Sequence, residues 1–317
     1  MLVIKSFLFL IVLTVQLFSI ETISPTYSLK ASGTVQEMVY KNNLLYLGTS
    51  KGTVEIFDTN KKKLIKKISI PKIKDFMQDT IDSKIYSIDL IEDKLLIVSQ
   101  GMRGYRNLWI YEDNKLRKII DIEKKFFITK ASFIDESKIV FALLGNRIGI
   151  FDINKNITVT LTQVSQSSFS HFMVNEKRDM MATTDESGVV RILNTEDLSV
   201  LRQLDIKNLD RVYQLDYKNG KVLTAGQDRK AVFYDNLSSY SLNFDFLLYS
   251  CALSKNAKYG AIAFNENNEI LVFNTNSKKY LYKLIGQDAT LTQILFVSQK
   301  EIFASSDSQT INFWSLK

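Results

Sequence analysis

Gly48-Thr-Ser-Lys-Gly-Thr-Val-Glu-Ile-Phe-Asp58 is a turn followed by an alternating strand that closes on an aromatic residue and an acid. The phrase returns as Thr183-Thr-Asp-Glu-Ser-Gly-Val-Val-Arg-Ile-Leu-Asn194, as Ala225-Gly-Gln-Asp-Arg-Lys-Ala-Val-Phe-Tyr-Asp235 and as Ser305-Ser-Asp-Ser-Gln-Thr-Ile-Asn-Phe-Trp-Ser315. Related copies end at Tyr111, Phe151 and Phe273. With Phe57, Tyr111, Phe151, Leu193, Tyr234, Phe273 and Trp314 as anchors, the spacings are 54, 40, 42, 41, 39 and 41 residues. All but the first match the period of a four-stranded propeller blade. Before each anchor strand comes a second β-rich run, such as Leu44-Leu-Tyr-Leu-Gly48 or Lys221-Val-Leu-Thr-Ala225. Gly, Ser, Asp and Asn join the two runs, which marks hairpins. No stretch keeps a helical period. One blade cannot bury both faces of its sheet, but seven stacked in a ring can. The sequence predicts a single all-β domain, a seven-bladed β-propeller of four-stranded antiparallel blades. The anchors belong to the core between blades.

The ring has to close. The last anchor strand, residues 310–316, ends the sequence, so the seventh blade is one strand short. Residues 27–31 are left over before the first blade. They are expected to pair onto the last blade, supplying its outer strand and covering two edges.

The N-terminus reads as an address. Lys5 precedes an apolar run of 13 residues, Ser6 to Phe18, which has the length of a secretory h-region and is short for a membrane span. Residues 1–19 are expected to be a signal peptide, with residues 20–317 as the mature propeller in the periplasm. Cleavage removes Lys5 and takes the formal charge from +7 to +6. No later stretch is apolar enough to span a membrane. Seven lysines between positions 61 and 74 fit a solvated strand edge, because lysine blunts edges against aggregation. The other basic residues are dispersed among acids and do not form the one-sided patch that nucleic acid requires.

The scarce residues exclude much chemistry. One cysteine, Cys251, allows no intrachain disulfide and no cysteine-based metal site. One histidine, His171, allows no histidine cluster and at most one histidine acid or base. Cys251 sits in an apolar strand context and reads as a buried, inert thiol; His171 reads as a hydrogen-bonded or channel-lining side chain. No phosphate-binding glycine loop or two-histidine zinc motif is present. No cofactor is expected. Asp89 and Asp216 fall on inner strands, where some propellers gather acids around calcium or a quinone, so a cofactor-binding propeller enzyme is the rival reading.

The long first spacing implies about 13 extra residues in the second blade. They fall in the connection Pro71–Lys84, with Asp75, Phe76, Met77 and Gln78, and in the turn Gln100-Gly-Met-Arg-Gly-Tyr-Arg-Asn107. In a propeller, blade-to-blade connections and turns between second and third strands share one face. Arg103, Tyr105 and Arg106 are residue types over-represented in interface hot spots. Neighbouring turns add Arg147, Asp185, Glu186, Asp228 and Arg229. Together they predict a partner-binding rim for an acidic or polar protein.

The phrases quoted above resemble WD40-type repeats over most of the chain after residue 27. The departures are the missing Trp-Asp and Gly-His pairs and the single tryptophan anchor, Trp314. Val222-Leu-Thr-Ala-Gly-Gln-Asp-Arg229, Ala289-Thr-Leu-Thr-Gln-Ile-Leu-Phe296, Val98-Ser-Gln-Gly-Met-Arg-Gly-Tyr-Arg-Asn107 and Ser28-Leu-Lys-Ala-Ser-Gly33 are similar to the NapL family. That resemblance implies an accessory role in assembly or electron supply of periplasmic nitrate reductase, and it carries no catalytic residues over. The expectation is an exported, monomeric, non-catalytic scaffold whose partners are proteins, nitrate reductase components among them. An outer-membrane assembly scaffold is the third reading.

Overall fold

The computed structural model describes residues 20–317 apart from Leu237; the expected signal peptide lies outside the described residues. Seven four-stranded antiparallel sheets stand in a ring. The innermost strands are Val35–Lys41, Ile85–Ile91, Ile128–Phe133, Phe169–Val174, Val212–Lys218, Cys251–Leu253 and Leu291–Phe296, and each touches the next around the ring. The seventh touches the first, so the ring is closed.

Closure comes from the N-terminus. Tyr27–Lys30 pairs antiparallel with Thr310–Ser315, with Tyr27 opposite Phe313 and Leu29 opposite Ile311. The Tyr27 ring stacks on Phe313 at 4.6 Å, and Leu29 and Ala31 are buried. One further strand has no counterpart in the repeat. Glu21–Ile23 pairs parallel with Tyr280–Leu284, making the sixth blade five-stranded. The chain therefore staples two neighbouring blades within its first described residues.

Burial follows the anchors. Phe57, Phe151, Leu193, Tyr234, Phe273 and Trp314 are buried between blades. Tyr111 is half-buried, and its hydroxyl donates to Asn114 Oδ1 at 3.0 Å. The core is a set of junctions: Val140, Ile148 and Ile150 of blade 3 meet Phe169, Phe172 and Leu193 of blade 4. Trp314 is fully buried and donates its indole N–H to the Ile285 carbonyl at 3.2 Å. Glycine is needed at two places where a ring lies over the backbone of the adjacent strand. A Cβ on Gly149 would meet Phe141 at 2.4 Å, and one on Gly260 would meet Phe273 at 2.5 Å.

The lysine-rich run splits between a turn, the outer strand of blade 1, Lys63–Ser69, whose side chains are mostly exposed, and the connection to blade 2, which carries Lys72 and Lys74. Lys67 reaches Glu55 at 3.2 Å and Lys66 reaches Asn114 of the next blade at 2.7 Å. Among the described residues, no helix is long and apolar enough to cross a membrane.

Candidate partner-binding face

The central channel is built from the innermost strands, and the repeat register decides what lines it. In six blades the first buried position of the inner strand is followed by one residue that faces the channel mouth; in blade 6 the matching pair, Leu248 and Tyr249, precedes the strand. Those residues are Gln36, Tyr86, Thr129, Ser170, Tyr213, Tyr249 and Thr292, one per blade, around a cavity of about 210 Å³. The mouth opens on the face that carries the blade-to-blade connections. Tyr213 stacks on Tyr249 at 5.1 Å, and Arg211 lies over the Tyr213 ring at 5.6 Å. Burial, then the neighbouring Tyr249, raises the Tyr213 phenol, so it stays neutral. Aligning the blades at their inner strands is the signal that finds this ring; aligning them on the anchors alone does not.

One to three residues deeper, the channel is occupied with holding blades together. Glu37 accepts the Ile88 N–H at 2.9 Å, and Asp89 accepts the Phe133 N–H at 2.8 Å. Asp216 accepts the Leu253 N–H at 2.8 Å, and Gln214 accepts the Cys251 N–H at 3.0 Å. Gln293 accepts the Met38 N–H at 2.5 Å across the junction that closes the ring. Two ion pairs reach past a blade. Glu37 of blade 1 pairs with Lys130 of blade 3, both almost buried. Asp89 of blade 2 takes Arg178 of blade 4 through two bonds, at 2.6 and 3.1 Å, and the same guanidinium donates to the Phe133 carbonyl. Asp89 and Asp216, the acids considered for calcium or a quinone, are thus engaged by neighbouring backbone and side chains. Among the described residues, no three His, Cys, Asp or Glu side chains are placed to hold a metal ion.

His171 lines the channel between blades 4 and 5, where its Nδ1 accepts the Leu215 N–H at 3.4 Å. Burial, then the Lys130 charge, holds its pKa well below the ordinary 6.5. The folded protein therefore binds a proton at His171 less readily than the unfolded chain does. Stability is complete above pH 6.5 and falls as the pH drops below it, by at most about 1.4 kcal/mol per pH unit. His171→Gln should flatten that decline; urea unfolding of both proteins between pH 7.5 and pH 5 measures it. Cys251 is buried, with its Sγ 3.3 Å from the Leu223 carbonyl. Burial, then the Asp216 charge, pushes its thiol well above the ordinary range, which keeps it protonated and unreactive.

The two insertions meet on the face with the tyrosine ring. The Gln100 N–H donates to the Lys84 carbonyl at 2.7 Å, joining the base of the connection to the long turn. The turn is ordered by a 3-10 segment, Met102–Gly104. Tyr105 packs on Phe127 at 4.8 Å, and Arg106 lies over the Tyr86 ring at 4.0 Å. Arg106 also donates to the Gly104 carbonyl, so part of its work is holding its own turn. Arg103, Arg147, Glu186 and Arg229 are exposed. Glu186 pairs with Arg211 at 3.4 Å, in reach of the tyrosine ring.

Two of the sequence-selected rim residues have internal duties. Asp185 is buried; it pairs with Arg191 at 2.8 Å and accepts from Asn146 of the neighbouring turn at 3.2 Å. Asp228 accepts from the Leu209 N–H at 2.8 Å and from Asn208 Nδ2 at 3.2 Å, tying its turn to the preceding connection. Both acids shape the face rather than present charge on it. Sequence reasoning missed Phe127, which packs on Tyr105, and Leu144; they are exposed at 44% and 54%. The Leu144 N–H donates to the Phe127 carbonyl at 3.0 Å, so the two are neighbours. Met102 is also exposed there, and Arg103 and Arg147 flank an apolar strip over blades 2 and 3.

No protein-family model matches the chain, and no curated protein matches it. Among solved structures, it is similar to the β-propeller domain of Cps50 (Swd1) from Myceliophteria thermophila. The TM-score is 0.74 at 15% identity, over 92% of this chain and 99% of that one. At that identity the likeness is one of fold. Matches extend to 1859 solved chains, so the fold is too widely shared to name a partner. The WD40-like propeller is supported by these matches; the narrower resemblance to nitrate reductase accessory proteins rests on its quoted residues alone.

Proposed function

We propose that the protein is an exported, non-catalytic scaffold that binds a protein partner through the face carrying the tyrosine ring and the two insertions. The observation that carries this reading is the apolar strip Met102, Tyr105, Phe127 and Leu144, flanked by Arg103 and Arg147. Aromatic and arginine side chains around an apolar centre are what binding interfaces use most. The acids and the histidine that a catalytic reading needs are committed to the blade junctions.

The resemblance to NapL gives the partner its most specific form, a component of periplasmic nitrate reductase during assembly or electron supply. Export follows the N-terminal address. Purification of the tagged protein from the periplasm of its host tests the scaffold reading, and nitrate reductase activity in a deletion strain tests the narrower role. Unchanged activity removes nitrate reductase from the proposal. A stoichiometric bound ion or chromophore in the purified protein favours the cofactor-binding alternative.

Arg103→Ala with Arg147→Ala is the cleaner surface variant, because Arg106 is half-buried and braces its own turn. The pair should weaken partner binding by roughly tenfold or more, as truncated hot-spot arginines do. The thermal midpoint should stay where it is. Calorimetry and thermal unfolding on the same preparations check both.

A further inference from the structure

We infer that the hairpin between blades 1 and 2 is a preformed anchor that inserts Phe76 and Met77 into an apolar pocket on the protein partner. The inference rests on the scaffold reading above and deepens it. Phe76 is 97% exposed and Met77 74%, the two most exposed large apolar side chains among the described residues. They do not sit on a loose loop. Ile73–Lys74 pairs with Thr80–Ile81, and Asp75 Oδ1 accepts the N–H groups of Met77 and Asp79, each at 2.8 Å. At the base, Lys72 pairs with Asp82 at 3.1 Å, and Ser83 donates to the Pro71 carbonyl at 2.6 Å. Neither apolar side chain packs on the propeller, so neither contributes to the core. An ordered tip that holds two apolar side chains in water has prepaid the ordering cost of binding.

The surroundings select the occupant. The hairpin rises from the same face as the strip Met102, Tyr105, Phe127 and Leu144. Over blades 1 to 3 the exposed bases Lys51, Lys74, Arg103, Lys124, Lys125 and Arg147 outnumber the exposed acids Asp79 and Glu123. Over blades 4 to 6 the same face turns acidic, with Glu186, Asp210, Asp245, Glu266 and Asp288 exposed against the exposed base Arg229. A partner that seats the Phe76–Met77 tip is therefore a folded protein whose apolar pocket is bordered by acidic residues, and it covers blades 1 to 3 only. A bilayer is the poorer fit: Asp75 and Asp79 bracket the tip, and half of the face would bring acids against anionic lipid.

The test places a photocrosslinker at the tip, as Phe76→p-benzoylphenylalanine, and at Arg103, in the full chain in its host. The expected result is one polypeptide crosslinked from both positions. Purified, that polypeptide binds the wild-type protein, and Phe76→Ser with Met77→Ser weakens the Kd at least about tenfold. The thermal midpoint of the double variant stays unchanged. If the polypeptide binds the double variant as tightly as wild type, the anchor is wrong and the scaffold reading stands. If no polypeptide is captured from either position, both fall. Crosslinks to a second copy of the chain overturn the anchor. So does wild-type co-sedimentation with phosphatidylethanolamine–phosphatidylglycerol vesicles that the double variant loses.

Discussion

Removing residues 20–31 should lower the unfolding free energy by about 5 kcal/mol and leave the protein prone to aggregate. Besides the strand Glu21–Ile23, the loss has three sources. Leu29 and Ala31 leave a buried seam, Tyr27 leaves its stack on Phe313, and Thr310–Ser315 loses its outer partner. Each buried large side chain is worth about 1.5–3 kcal/mol. The uncovered strand then offers unpaired N–H and C=O groups to any other edge. Removing only residues 20–24 strips the parallel strand from blade 6 and spares the closure. That smaller loss, about 1–2 kcal/mol, reflects Ile23 packing against the core between blades 6 and 7. Urea unfolding of the three proteins gives the order, and light scattering reports aggregation. An unchanged midpoint in the longer deletion contradicts the closure.

Glu37→Ala should destabilise by about 3–5 kcal/mol, because it strands Lys130 as a buried, unpaired charge. It also removes the acceptor of the Ile88 N–H. Replacing both partners, Glu37→Met with Lys130→Met, should cost far less than Glu37→Ala alone, since no charge is then left behind. A double-mutant cycle isolates the coupling between the two residues. Lys130→Met has a second consequence. The Lys130 charge is one cause of the lowered His171 pKa, so its removal should bring that pKa part of the way back and soften the acid decline. Burial, the larger cause, remains. A Glu37→Ala protein as stable as wild type would mean that the pair is solvated and the channel junction is not a clamp.

Much of this architecture is legible in the sequence alone. The anchor period set the number of blades, and the missing outer strand at Thr310 pointed to the leftover segment at Tyr27. The parallel strand Glu21–Ile23 was not legible, because three residues outside the repeat carry no periodicity to read. The candidate face was half legible. The long turn and connection stood out by length, yet nothing local separates a tip such as Phe76 from an ordinary loop residue. Asp185 and Asp228 show the opposite problem. An Asp followed two residues later by Ser187 or Lys230 is a turn signal as much as a surface charge, and the fold spends both acids on neighbouring backbone and amides. The tyrosine ring was hidden for a simpler reason: Tyr86, Tyr213 and Tyr249 are far apart in the chain, and only closure brings their strand starts together.

Hydrogen exchange of the complex tests most directly the proposal that the partner docks on one face of the propeller. The prediction is protection of Pro71–Lys84 and Gly101–Arg106 on partner binding, with the opposite-face turns at Asn42–Asn43 and Asn219–Gly220 exchanging as in the free protein. Protection confined to those opposite turns, with the two insertions unchanged, would contradict it.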